Sequence, residues 1–224
     1  MLKANTIQTY GWSDAIRGMR NPMNSWAQSD TRYCGPETGL CSVCEDRHTD
    51  RCVNGYVIGS KDLALMKKLV NAGSDHRKFL RMIAVYMDIT APLYWWKEYD
   101  TYKVGTVANS CSTMHKVMDK PFTMDDFSHE HLYGTAEGAL CHTINIMNMY
   151  RGMYLGESDP EIKKAHWYQV IQLLPTNYNQ KRTVMLNYEV LRNIYHARKN
   201  HKLDEWHELC AVIEQLPYFA VLIA

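Results

Sequence analysis

HRKFLRMIAVYMDITAPLYWWKEYDTYKVGTVANSCST, residues 76–113, changes periodicity twice along its length. Ile83, Val85, Met87 and Ile89 alternate with Ala84, Tyr86, Asp88 and Thr90, the two-residue period of a strand with one apolar face. A helix through Phe79, Met82, Ile83 and Tyr86 competes with it, and the β-branched side chains decide for the strand. Thr90-Ala91-Pro92 then offers a helix start, since Pro suits a first turn and Thr can cap, and a helix is expected over 93–99. The polar run DTYKVGTVANSCST that follows is expected to be a loop. Fifteen Tyr and six Trp suit a site that stacks planar ligands, and equally they fill cores.

Upstream, a helix is expected over 61–72, with Leu63, Met66, Leu69 and Val70 on one face and Gly73 ending it. The first 60 residues are rich in Gly, Asn, Ser and Cys and show little periodicity, which predicts loops around a short element. Downstream, Thr123-Met-Asp-Asp is expected to open a long helix reaching about residue 155, with Ala136, Leu140, Ile144, Met147 and Tyr154 on one stripe. Pro160 starts another helix, ended at Leu174-Pro175, and two more are expected over 182–199 and 204–216. His129 and His131 read as part of a surface helix start, because an i,i+2 pair does not share a helix face. Trp95-Trp96 reads as core or subunit contact, and Cys141 and Cys210 as buried fillers. The pattern predicts an α/β (α+β) fold, helix-rich with a central mixed or antiparallel sheet, in a single domain over 1–224 with a Cys-rich insertion at about 34–52.

Composition narrows the function. Among 224 residues, Lys+Arg 25 against Asp+Glu 24 leaves a net charge of +1, so no global field draws the chain to nucleic acid or anionic membrane. No apolar run approaches the roughly 20 residues of a membrane span, and the first residues lack the apolar core of a signal peptide, so a cytoplasmic protein of a bacterial or phage-infected cell is expected. Residues 181–202 hold six Lys/Arg against one Glu, either a phosphate-binding patch or a solvated helix face. Residues 1–60 balance six Lys/Arg with six Asp/Glu, which argues against a nucleic-acid-binding module there.

Cys34-x6-Cys41-x2-Cys44-x7-Cys52, with His48 inside, groups four of the seven cysteines. Four thiolates can enclose a tetrahedral zinc with no open position, hence a structural metal. An iron–sulfur cluster uses the same ligands, and free thiols or a redox pair of Cys41 and Cys44 remain open.

The segment 76–113 resembles the central segment of the flavin-dependent thymidylate synthases. His76 matches the family's first His, Met87-Asp-Ile-Thr-Ala-Pro its strand and turn, and Glu98-Tyr99 its Gln-Trp. The family signature R-H-R-x-x-S-x-N-E-x-S-x-R falls on Thr101, Tyr102, Lys103, Thr106, Ala108, Asn109, Cys111 and Thr113. Leu174-Pro175, then Asn187-x-Glu189-x3-Asn193-x4-Arg198, resembles the family's later L-P…N-x-R-x3-N/H-x4-R block. Lys103 keeps a charge and Thr106 a hydroxyl, whereas Thr101, Thr113 and Glu189 stand where the family has Arg. Losing those guanidiniums weakens bidentate phosphate recognition.

The resemblance implies reductive methylation at C5 of a pyrimidine deoxynucleotide, dUMP to dTMP, with FAD as redox cofactor and NADPH and methylenetetrahydrofolate as co-substrates. It assigns His76, Tyr102, Lys103, Asn187 and Asn193 to flavin, and Glu98, Thr106, Asn109, Cys111 and Arg198 to the nucleotide, Arg198 being also the catalytic candidate. It implies a homotetramer with shared active sites. A non-catalytic or altered-substrate nucleotide-binding descendant and a zinc-stapled nucleic-acid-binding protein are the alternatives.

Overall fold

The computed structural model of the chain describes residues 2–33, 52–53 and 55–223, without the side chains of Thr6 and Cys52. The proposed thiolate ligands Cys34, Cys41 and Cys44, and the Cys52 side chain, lie outside it. Strands β1 (Lys3–Tyr10), β5 (Ala84–Pro92), β7 (Asn179–Asn187) and β6 (Val107–Ser110) form a four-stranded sheet in the order β1-β5-β7-β6. The short strands β2 (Arg32–Tyr33), β4 (Tyr56–Val57) and β3 (Cys52–Val53) form a second, antiparallel sheet. The architecture is the expected mixture of helix and antiparallel sheet. The chain divides into two units, one of residues 2–3, 89–101 and 109–183, the other of 4–88, 102–108 and 184–223.

The first unit is built on a helical hairpin, α4 (Thr135–Gly156) and α5 (Pro160–Leu173). Asp159 caps α5, accepting from the amides of Glu161 and Ile162 ahead of Pro160, as a Pro-started helix favours. Leu140, Ile144 and Met147 of α4 and Val170 of α5 close over Val117, Met118, Phe122 and Phe127. Helix α3 (Leu93–Tyr99) buries Trp95, Trp96 and Tyr99, and Trp96 Nε1 donates to the Gln180 carbonyl at 2.9 Å. The Trp pair is therefore core.

In the second unit, α1 (Trp12–Arg20), α2 (Ser60–Asn71), α6 (Tyr188–Arg198), α7 (Asp204–Glu214) and α8 (Phe219–Leu222) surround a core that includes Trp12, Met66, Leu80, Tyr188, Leu191, Trp206 and Phe219. Trp12 meets Tyr188 edge-on at 5.2 Å, and the Tyr188 hydroxyl donates to the Pro217 carbonyl at 2.7 Å. Gly11 enters α1 with φ +87°, and a Cβ there would fall 2.2 Å from the Met82 carbonyl oxygen, so only glycine fits. Asp62 is fully buried and accepts from Arg20 Nε at 2.6 Å, the Ser29 hydroxyl at 2.7 Å and the amides of Asp30 and Thr31. Burial pushes its carboxyl up, but the hydrogen bonds from Ser29, Thr31 and Arg20 outweigh this and hold it below the usual carboxylate range.

Several sequence expectations are corrected. The first 60 residues contain β1 and α1, whose alternation the Gly- and Asn-rich surroundings obscured. Thr90 stays in β5 and caps nothing. The first amides of α3 instead donate to the backbone carbonyls of Tyr178 and Thr176. The polar run after α3 is not all loop, because 107–110 is an exposed edge strand. The stretch 179–187 is strand rather than helix. Gln180, Val184 and Leu186 are buried, while Lys181 and Arg182 had mimicked a polar helix face. The helix expected from residue 123 is one 3₁₀ turn, Met124–Asp126, closed by a Thr123/Asp126 capping box. Phe127 then pairs with Tyr178, and α4 begins only after Gly134. His129 and His131 accordingly lie outside any helix, with His129 Nδ1 2.8 Å from the Phe127 carbonyl. Cys210 is buried as expected, but Cys141 is exposed.

Candidate functional site

Helix α6 and the loop 102–108 build the site in the second unit. Asn187 caps α6, its Oδ1 accepting from the Val190 amide at 3.0 Å. Its Nδ2 faces Gly105, where a Cβ would come within 3.0 Å of it and 3.4 Å of Val190 Cγ2. Gly105 has φ +76°, so both the turn and the close approach call for glycine. Thr106 Oγ1 donates back to the Tyr102 carbonyl at 2.5 Å and closes the turn. The loop thus lies along α6 and brings Tyr102 to its last residue, Arg198.

Arg198 Nε donates to the Tyr102 hydroxyl at 2.9 Å. Its guanidinium carbon lies 4.7 Å from the ring centre of Trp206 and 5.7 Å from that of Tyr102. Trp206, in the first turn of α7, is fully buried and meets the Tyr102 and His201 rings edge-on at 6.1 and 6.3 Å. A half-buried guanidinium held against two rings loses little side-chain freedom on binding and presents a planar fork suited to carbonyl or phosphate oxygens.

Of the other expected flavin residues, His76 is exposed just before the 3₁₀ turn Arg77–Met82, Asn193 is exposed on α6, and Lys103 is exposed in the loop. Glu189, at a position where the resemblance has Arg, turns to Arg77. Arg77 Nε donates to its two carboxylate oxygens at 2.9 and 3.0 Å. The expected nucleotide residues divide between the units. Thr106 and Arg198 belong with α6, whereas Glu98, Asn109 and Cys111 belong to the first unit. There Glu98 is half-buried on α3, and Asn109 and Cys111 are exposed at the end of β6. The Cys111 amide donates to the Lys181 carbonyl at 2.9 Å, and its carbonyl accepts from Gln180 Nε2 at 2.8 Å.

The basic run 181–202 is not one patch. Arg182 Nη1 donates to Asp100 at 2.8 Å, and its guanidinium stacks on Trp96 at 4.2 Å. Arg192, Arg198 and Lys199 instead follow α6. The Arg77–Glu189 pair escaped the sequence reading because its members lie 112 positions apart, and the contact of Trp206 with Tyr102 likewise joins distant segments. The nearest signal was an isolated Trp opening an amphipathic helix. Among the described residues no three His, Cys, Asp or Glu side chains gather as a metal site, and no helix is long and apolar enough to cross a membrane.

No family model and no curated protein matches the chain. Solved structures do. One is thymidylate synthase X from Helicobacter pylori with FAD and dUMP, at a TM-score of 0.66 and 15% identity, covering 99% of this chain and 97% of that one. Another is the flavin-dependent thymidylate synthase from Helicobacter pylori complexed with FAD and dUMP, at 0.64 and 15%, covering 96% and 97%. Over almost its whole length the chain therefore has a flavin-dependent thymidylate synthase-like fold.

Proposed function

We propose that the protein is a flavin-dependent enzyme that transfers a one-carbon unit reductively to C5 of a pyrimidine deoxynucleotide, converting dUMP to dTMP. The observation that carries this reading is the packing of loop 102–108 along α6. Two segments that resemble the family's separated motifs meet there, and Arg198 is held between Tyr102 and Trp206. The Helicobacter pylori proteins of the same fold were solved with FAD and dUMP. A fixed guanidinium, the half-buried Tyr102 ring and the exposed Asn193 amide suit a planar, anionic ligand.

His76, Tyr102, Lys103, Asn187 and Asn193 would hold FAD, which supplies a hydride when bound and reduced. Glu98, Thr106, Asn109, Cys111 and Arg198 would hold the nucleotide. Arg198 orients the pyrimidine through its N–H donors and stabilises negative charge developing on the ring oxygens. Cys111 acts as a binding residue, standing where the family has a serine. NADPH and methylenetetrahydrofolate are the proposed co-substrates, a cytoplasmic homotetramer with shared sites the proposed assembly, and a zinc on Cys34, Cys41, Cys44 and Cys52 the proposed structural metal. The Arg77–Glu189 pair favours a second reading, a nucleotide-binding descendant without catalysis, because a residue matched to an Arg is here a carboxylate engaged internally.

A UV–visible spectrum of the purified protein, before and after adding FAD, tests the proposal. A bound-flavin spectrum that NADPH bleaches is the expected result. Absence of flavin in both samples, with dUMP still bound, would leave only the second reading.

A further inference from the structure

One stripe of α6, buried at Glu189 and exposed at Lys199, has a chemistry of its own. Glu189, Arg192, His196 and Lys199 follow one another at three- and four-residue steps, with Asn193 beside Arg192, and share one face. Arg77 approaches the same face from the 3₁₀ turn and occupies the carboxylate of Glu189, its guanidinium side chain 15% and the Glu189 side chain 10% exposed. Arg77, Arg192 and Lys199 are permanent cations along this face, with Glu189 paired to Arg77 and Glu214 bonded to Tyr195, whose ring lies under Lys199. Arg192 Nε is buried and finds no hydrogen-bond partner among the described residues. Such a donor is normally satisfied, so this half-buried guanidinium is not locked in place by an internal acceptor. The local electrostatics agree with that geometry. Burial, then the charge of Arg77, lowers Arg192 below its ordinary value. Burial, then Arg192, Lys199 and Arg77, holds His196 below the usual imidazole range. Across α7, Glu214 accepts from the Tyr195 hydroxyl at 2.5 Å, and the Tyr195 ring packs against His196 at 5.6 Å.

We propose that Arg77, Arg192, His196 and Lys199 form a binding site for a phosphate or diphosphate group. The argument uses α6 and the turn before β5 alone and stands whether or not the chain binds flavin. Two guanidiniums offer forks that match phosphate oxygens, and Lys199 adds a mobile point charge. A bound dianion relieves the mutual repulsion, accepts from the exposed part of the Arg192 guanidinium and allows His196 to take up a proton and donate as well. The group can be carried by a dinucleotide, by a mononucleotide, or arrive as the free anion.

The test is a titration of the full chain with inorganic pyrophosphate at low salt and near-neutral pH, followed by the His196 ring resonances. Saturable binding is expected, weakened by added salt. The His196 midpoint should move upward by about one pH unit on saturation, a response that a purely structural histidine would not show. Arg192→Gln and Lys199→Gln should each weaken pyrophosphate about tenfold, roughly 1.4 kcal/mol. Neither variant should melt below the parent, since each removes one of the mutually repelling charges. Competition then identifies the carrier. Displacement by FAD assigns a dinucleotide diphosphate, displacement by dUMP a 5′-phosphate, and displacement by neither the free anion. No saturation up to about 10 mM, or equal affinity in both variants, overturns the site. Pyrophosphate binding without a flavin spectrum would sink only the flavin reading, and a flavin spectrum without pyrophosphate binding only this one.

Discussion

Arg198 and Tyr102 stand 96 residues apart in sequence and are joined by a 2.9 Å hydrogen bond from guanidinium to phenol, with Trp206 beneath the guanidinium. The bond ties the loop to the end of α6 and fixes the direction of the arginine fork. If this fork holds the nucleotide, Arg198→Ala should weaken dUMP binding about a hundredfold, in line with the 1.5–3 kcal/mol of roughly one charge-assisted contact. Tyr102→Phe keeps the ring but removes the acceptor, and a loss of about tenfold is expected. Calorimetric titration measures both, with circular dichroism to confirm the fold. Parent-like dUMP affinity in Arg198→Ala would remove Arg198 from the site.

The Arg77–Glu189 pair makes a prediction about stability. Glu189→Gln leaves the Arg77 guanidinium, and Arg192 behind it, without a carboxylate, and should destabilise the chain by about 2 kcal/mol. Glu189→Arg, which restores the residue of the resemblance, should be worse, since it sets a third guanidinium against two. Denaturant melts of the two variants rank them. A stabilised Glu189→Arg would show that the pair contributes nothing.

Asp62 predicts acid sensitivity. Its carboxyl titrates lower in the folded chain than the roughly 3.9 of an unfolded one. Between those two values the unfolded state binds more protons, so the contribution is full above about pH 4 and fades as pH falls through the folded value. Asp62→Asn leaves Arg20 buried without its partner and should cost about 3 kcal/mol near neutrality. The variant should also lose part of the parent's pH dependence below about pH 4, which thermal melts across that range would reveal. Parallel curves for parent and variant would contradict this.

Gly105→Ala forces a Cβ onto a φ of +76° and against the Asn187 amide. The expected loss of stability is about 1 kcal/mol. Ligand binding should fall further than that figure implies, because the displaced loop carries Tyr102 away from Arg198. Comparing the melting shift with the change in dUMP affinity separates the two effects. A loss of affinity no larger than the loss of stability would show that the loop does not position the arginine.

What could be read locally was read from local causes. The alternation of Val85, Met87 and Ile89 specified β5 and the apolar spacing of Met66 and Val70 specified α2, because each pattern reports the face its own element buries, and Pro160 marked the start of α5. Lys181 and Arg182 misled at β7, since their charges are satisfied by Asp100, stacking on Trp96 and exposure rather than by a helix face. The resemblance put the candidate ligands Asn187, Asn193 and Arg198 along one expected helix but could not say what met them. Tertiary structure alone brought Tyr102 and Trp206 to Arg198, turned Glu189 toward Arg77 and left Arg192 Nε buried without a partner. Those relationships depend on contacts between residues up to 112 positions apart. Periodicity records which side of an element is apolar, whereas the charge that meets a given side chain is set by how the elements pack.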